Sequence, residues 1–136
     1  IWDNLPARSP IIIGLRGDLG AGKTTLTQNL LSRAGFKGAV SSPTFVIEKR
    51  YQLAKPFRQI KQIIHIDAYR LTNGDDLLKL GWQDLCQLDN TLIIVEWPEL
   101  VADILPADTL FVDLRVKNED TRTINIPWLK KVTKEK

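Results

Sequence analysis

The run "PIIIGLRGDLGAGKTTLTQNLLSRAG", residues 10–35, holds three patterns in succession. Residues 10–17 are short, apolar and β-branched and close on a turn signal, which predicts a buried strand. Residues 23–35 repeat apolar side chains at Leu26, Leu30 and Leu31 and finish on Gly35, which predicts a helix ended by a glycine. Between them "GDLGAGKT", Gly17 to Thr24, fits G-x-x-x-x-G-K-[ST] without a gap, in the strand-to-helix setting that the pattern requires. Successive backbone N–H groups can then wrap a phosphate, provided that small residues stand where the chain curls tightly. Gly20, Ala21 and Gly22 meet that demand. Lys23 supplies a mobile point charge for the β- and γ-phosphates, and Thr24 a hydroxyl for Mg²⁺. The expected nucleotide-binding set is Asp18, Leu19, Gly20, Ala21, Gly22, Lys23, Thr24 and Thr25.

Such a loop needs an acidic partner that holds Mg²⁺ or positions the attacking water, and the usual source is the end of a neighbouring strand. Two runs share that design: "QIIHID" ends on Asp67 and "LIIVE" ends on Glu96. In an open α/β sheet the ligand sits beyond the carboxyl ends of the parallel strands, so both acids face the loop if both strands run parallel to the first. Function is favoured for at least one of Asp67 and Glu96, the alternative for either being a strand end that meets solvent. His65, the only histidine, falls on the same strand face as Asp67, and a packed, hydrogen-bonded role outweighs catalysis for it. Tyr69 follows Asp67 closely, and Arg70 is read as scaffold ahead of phosphate contact. Ser41, Ser42 and Thr44 flank Pro43 in a small-residue loop, the position of switch loops in nucleotide hydrolases, although hydroxyl-rich loops are common for other reasons.

The remaining chain predicts strands at 44–53 and 58–67, two short helical pieces in 74–88 broken at Gly81, a buried parallel strand at 91–97, and a short helix at 98–105 with Pro98 in its first turn. An antiparallel hairpin follows, "TLFVDLRV" and "RTINIP", turning at the polar "KNEDT". The fold class expected is α/β: a P-loop NTPase three-layer sandwich with a mixed, partly antiparallel central sheet, in a single domain over residues 1–136. The chain has no methionine and opens on Ile1, so a native N-terminal segment is expected to precede it.

Composition fits a globular protein, at 43% hydrophobic and 26% charged residues. No apolar run reaches membrane-spanning length, no signal-peptide pattern opens the chain, and a single cysteine, Cys86, makes no internal disulfide. Cytoplasm is the default location. The net charge of +3 permits a nucleic-acid or acidic-protein partner without requiring one, and the basic tail "LKKVTKEK" reads first as a solvated end. Guanine specificity lacks its N-K-x-D motif, and no arginine-bearing lid of a small-molecule kinase stands out. The residues by themselves lead to a small Mg²⁺-dependent ATPase or kinase, or to a nucleotide-gated interaction module.

"GDLGAGKTTLTQ", "SSPTF", "HIDAYRL", "LLKLGWQDL", "IIVEWPE" and "ILPAD" occur in this order from residue 17 to about 108, and the set resembles the TsaE (YjeE) family of bacterial ATPases. The resemblance implies an ATP- and Mg²⁺-dependent role in making threonylcarbamoyladenosine (t6A) in tRNA. The implied partner is a TsaB–TsaD heterodimer, with tRNA contacted indirectly. It puts Lys23 on the phosphates and Thr24 and Glu96 on Mg²⁺, makes Asp67 a second functional acid and Thr44 the switch-loop residue, and gives Trp97 a conformational or partner-contact role. Arg122 falls near a family arginine close to the base. Sixteen residues precede Gly17 here, so the family's adenine contacts from a preceding strand and helix are not carried over.

Overall fold

The computed structural model describes residues 1–2, 5–6, 10–18, 20–40 and 48–128. Six strands form one sheet: β1 (Ile11–Arg16), β2 (Glu48–Phe57), β3 (Ile60–Asp67), β4 (Thr91–Glu96), β5 (Leu110–Val116) and β6 (Arg122–Asn125). Their order is β2-β3-β4-β1-β5-β6. The four central strands are parallel, and β2 and β6 join them antiparallel at the two edges. The expected mixed, partly antiparallel sheet is therefore observed, with its parallel part in the middle.

Strand alternation assigns each side chain to a layer. Ile11, Ile13 and Leu15 of β1, Ile63 of β3, and Leu92 and Ile94 of β4 pack in one cluster with Leu30 and Leu31 of helix α1 (Lys23–Arg33). Ile12, Ile64, Ile66, Ile93 and Val95 form the opposite cluster with Leu77 of α2 (Gly74–Leu78) and with Trp82 and Leu85 of α3 (Trp82–Leu85). Both faces of β4 are thus covered, which is why its sequence is an unbroken apolar run rather than an alternating one. Each fully buried Ile or Leu contributes about 1.5–3 kcal/mol by removal from water. The same alternation carries His65 and Asp67 along the row of Ile63, and Glu96 along the row of Leu92 and Ile94. All three therefore project toward the layer that holds α1.

Several boundaries differ from expectation. The strand at 58–67 begins at Ile60, because Arg58 and Gln59 take φ of 50° and 72° and form a two-residue hairpin turn between the paired Phe57 and Ile60. Strand β2 runs on to Phe57 despite Pro56, since its register shifts after Gln52 and it lies at the sheet edge, where a missing N–H is tolerated. The predicted helix at 98–105 shrinks to a single 3-10 turn, Pro98–Val101, and Ile104 N–H already bonds back to the Val101 carbonyl. In the last hairpin β6 stops at Asn125, short of Pro127. The Trp128 indole N–H instead bonds the Phe111 carbonyl at 2.8 Å. The break at Gly81 is observed, with φ of 91° between α2 and α3. Among the described residues no helix is long and apolar enough to cross a membrane.

Gly17 shows how tightly β1 leaves the sheet. A Cβ there would lie 2.5 Å from the Leu114 carbonyl oxygen, a backbone atom that cannot swing away, and φ is +156°. Gly17→Ala is expected to cost about 2 kcal/mol or more, read as a lowered urea midpoint with unchanged slope. Gly20→Ala, with φ of +81° but open space around it, is expected to cost about 1–2 kcal/mol from backbone strain alone. Equal and negligible losses at both positions would contradict this account.

Candidate functional site

The loop from Gly17 to Gly22 leaves β1 and enters α1 through Gly22, whose φ of 102° only glycine adopts at little cost. A turn closes within it, Ala21 N–H to the Asp18 carbonyl at 3.0 Å. No side chain caps α1, and its first turn holds no acid. The first amides and the positive end of this eleven-residue helix are left available to an anion.

Lys23 is buried, and its Nζ donates to the Gly17 carbonyl while sitting 3.5 Å from the centroid of the Trp97 ring. Burial pushes this lysine below the ordinary 10.5. Glu96 opposes that most, followed by Glu99, Asp67 and Asp18. The predicted cation and both predicted acids therefore act on one another in one place. Trp97 reaches the ammonium because its backbone turns left-handed, with φ of 60° and ψ of 48°, directly after β4. Its ring also leans on Tyr69, with centroids 5.1 Å apart.

The two acids stand side by side, since Asp67 and Glu96 are register partners on adjacent parallel strands. Their environments differ. Glu96 is buried and its Oε2 lies 2.5 Å from His65 Nε2, whereas Asp67 is half-buried and accepts the Tyr69 N–H at 3.0 Å. His65 is thus packed and hydrogen-bonded, as expected from its place on β3, but its partner across 31 residues had no sequence signal.

Arg122 adds a contact that spacing does not reveal. From β6 its Nε bonds the Gly20 carbonyl at 3.0 Å, tying the last hairpin to the glycine loop. Arg16, at the end of β1, forms a two-pronged pair with Asp113 on β5, at 2.5 and 3.1 Å. That pair lines a polar cleft of about 630 Å³ that opens beside Gly17 and Asp18. Leu19, Ser41, Ser42 and Thr44 lie outside the described residues, so the predicted switch loop has no geometry to compare.

The donors near the loop suit a hard cation. Thr24 and Glu96 offer only oxygen, and among the described residues no group of three or more His, Cys, Asp or Glu could hold a metal by itself. An all-oxygen pair of this kind fits Mg²⁺, which keeps several waters and takes its remaining ligands from phosphate oxygens.

A parallel sheet core, a glycine loop running from its strand β1 into a helix, and acids at the ends of β4 and β3 define a P-loop NTPase fold. Comparison narrows this further. The model of the family "Threonylcarbamoyl adenosine biosynthesis protein TsaE" matches residues 3–124. A protein of Haemophilus influenzae named tRNA threonylcarbamoyladenosine biosynthesis protein TsaE is 36% identical over 122 residues, covering 90% of this chain and 73% of that protein. The Streptomyces coelicolor protein of the same name is 40% identical over 103 residues, covering 76% and 67%. Among solved structures, one titled "Crystal structure of Bacillus subtilus YdiB" superposes with a TM-score of 0.66 at 28% identity, covering 84% of this chain and 65% of that one. The chain belongs to the TsaE family, whose members act in the biosynthesis of threonylcarbamoyladenosine in tRNA.

Proposed function

We propose that the protein is a cytoplasmic, Mg²⁺-dependent ATPase that supports t6A formation in tRNA by binding and hydrolysing ATP together with a TsaB–TsaD pair, touching tRNA only indirectly. The observation that carries the ATPase reading is Lys23 at the head of the uncapped α1, held among Glu96, Asp67 and Asp18. On this reading the loop amides from Asp18 to Thr25 grip the phosphates. Lys23 exchanges the Gly17 carbonyl for phosphate oxygens and spreads the charge that develops on the transferred group. The Thr24 hydroxyl and the Glu96 carboxylate hold Mg²⁺, which neutralises phosphate charge when bound. Asp67 orients the attacking water, and Thr44 reports the γ-phosphate from the switch loop.

The test is phosphate release from ATP, measured with and without the TsaB–TsaD pair. Slow release alone and marked stimulation by the pair are expected. ATP binding with no release in either condition would sink the hydrolase reading in favour of a nucleotide-gated module, and a phosphorylated acceptor would favour a kinase.

A pH prediction follows from Lys23. Its charged form binds phosphate, and burial lowers its proton affinity. Affinity for ATP is therefore expected to fall at a lower alkaline pH than an ordinary lysine near 10.5 would give. Folding stability moves the other way: between the lowered folded value and 10.5 the unfolded chain binds more protons, so this residue's contribution to stability rises with pH there. Titrating a fluorescent ATP analogue from neutral to strongly alkaline pH checks the first effect. A flat profile up to 10.5 would contradict it.

A further inference from the structure

We propose that His65 is a positioning residue for Glu96: it occupies one carboxylate oxygen, fixes the plane of the carboxylate, and leaves the other oxygen aimed at the cation site. The inference rests on the reading of Glu96 as the metal-holding acid and assigns a role that the reading did not need.

The geometry is specific. His65 is completely buried on β3, Glu96 is 3% exposed at the end of β4, and the Nε2–Oε2 separation is 2.5 Å. A carboxylate only accepts, so Nε2 carries the proton. On the other side of the ring, Nδ1 has no hydrogen-bond partner among the described residues. A buried N–H without an acceptor is costlier than a bare ring nitrogen, so the tautomer is the one with its hydrogen on Nε2. That leaves the ring a single polar duty, the Glu96 carboxylate.

Packing explains why the duty is fulfilled. Ile63, Ile64 and Ile66 surround His65 along β3 and are all buried, and Ile94 is its register partner on β4. The ring is enclosed by buried side chains. A histidine placed there for packing alone would be better replaced by leucine, because it brings a polar nitrogen with no partner into the core. What it supplies in return is a fixed donor at the last residue of β4. A flexible glutamate at a strand end, by contrast, samples several rotamers and must be ordered each time the cation binds. Groups that orient a metal-binding side chain commonly change metal affinity by about 10–100-fold.

Three measurements test this. His65 is the only histidine, so one imidazole signal exists to follow by NMR. The expected signal is a downfield Nε2 proton protected from exchange, and it should move in Glu96→Gln. If it stays in place in that variant, the pairing is wrong. The second measurement is the Mg²⁺ concentration for half-maximal tightening of nucleotide binding, read by fluorescence without turnover. His65→Leu is expected to raise it about tenfold. His65→Gln, whose amide can reach Glu96, should restore much of it, and nucleotide binding in EDTA should not change. His65→Asn, whose amide ends short of Glu96, serves as a second disrupting variant if the leucine protein folds poorly.

The third measurement is the double variant His65→Leu/Glu96→Gln, which should need no more Mg²⁺ than Glu96→Gln alone. Additive losses, or half-saturation within twofold of wild type in both disrupting variants, would overturn the proposal. If Glu96→Gln itself leaves the Mg²⁺ requirement unchanged, the metal reading of Glu96 falls and takes the role of His65 with it. An NMR signal that still moves in that variant would show that the pairing itself had survived.

Discussion

Glu96→Gln is expected to lower partner-stimulated phosphate release by about two to three orders of magnitude while changing ATP affinity less than about tenfold. The asymmetry comes from where the carboxylate stands. It lies at the end of β4, the strand beside β1, and of the acids around Lys23 it most offsets the cost of that residue's burial. On the proposed reading, removing its charge would weaken the hold on Mg²⁺ and leave the transferred phosphoryl group less well neutralised. The loop amides and the helix end, which on the proposed reading supply most of the phosphate grip, are untouched. Glutamine keeps an oxygen for His65, so the fold should persist. Asp67→Asn should be milder, because Asp67 is less buried and one of its oxygens already serves the Tyr69 amide. A stimulated rate within threefold of wild type in Glu96→Gln would refute the metal role.

Lys23→Met is expected to weaken ATP binding by about two orders of magnitude or more, the scale of losing a charged partner to a desolvated phosphate. It should leave stability within about 1 kcal/mol of wild type. Two opposing effects produce the second result. Taking the ammonium out of water costs more than the four surrounding acids return, which is why its proton affinity falls. Methionine removes that cost and fills similar volume against Trp97, but it forfeits the bond to the Gly17 carbonyl and the contact with the ring face. Calorimetry gives the affinity and thermal unfolding gives the stability. A strong loss of stability with ATP affinity intact would reverse the assignment.

Much of the site was legible because its logic is local. Gly17 to Thr24 and the helix after it occupy one continuous stretch, and the two acids each end an apolar run. Their convergence followed once both strands were taken as parallel to β1. Contacts that join distant segments were not legible. Sheet order places β1 between β4 and β5, and no periodicity encodes which strand pairs with which. His65 meets Glu96 through a register between β3 and β4, and Arg122 reaches Gly20 across 102 residues through the last hairpin. The resemblance implied a conformational or partner-contact role for Trp97. That its ring lies against Lys23 depends on a left-handed backbone turn, which a tryptophan in a sequence gives no reason to expect.

That turn has a consequence for the proposed cycle. When no phosphate is present, Lys23 rests between a carbonyl oxygen and an aromatic face rather than reaching into open space. Nucleotide entry is then an exchange of partners, and its net strength is a difference between two attractions. Departure is eased by the same amount, because the ammonium has a place to return to. On that reading Trp97 would act as a stand-in ligand that keeps the product from being held too tightly, with its indole placed to register each exchange.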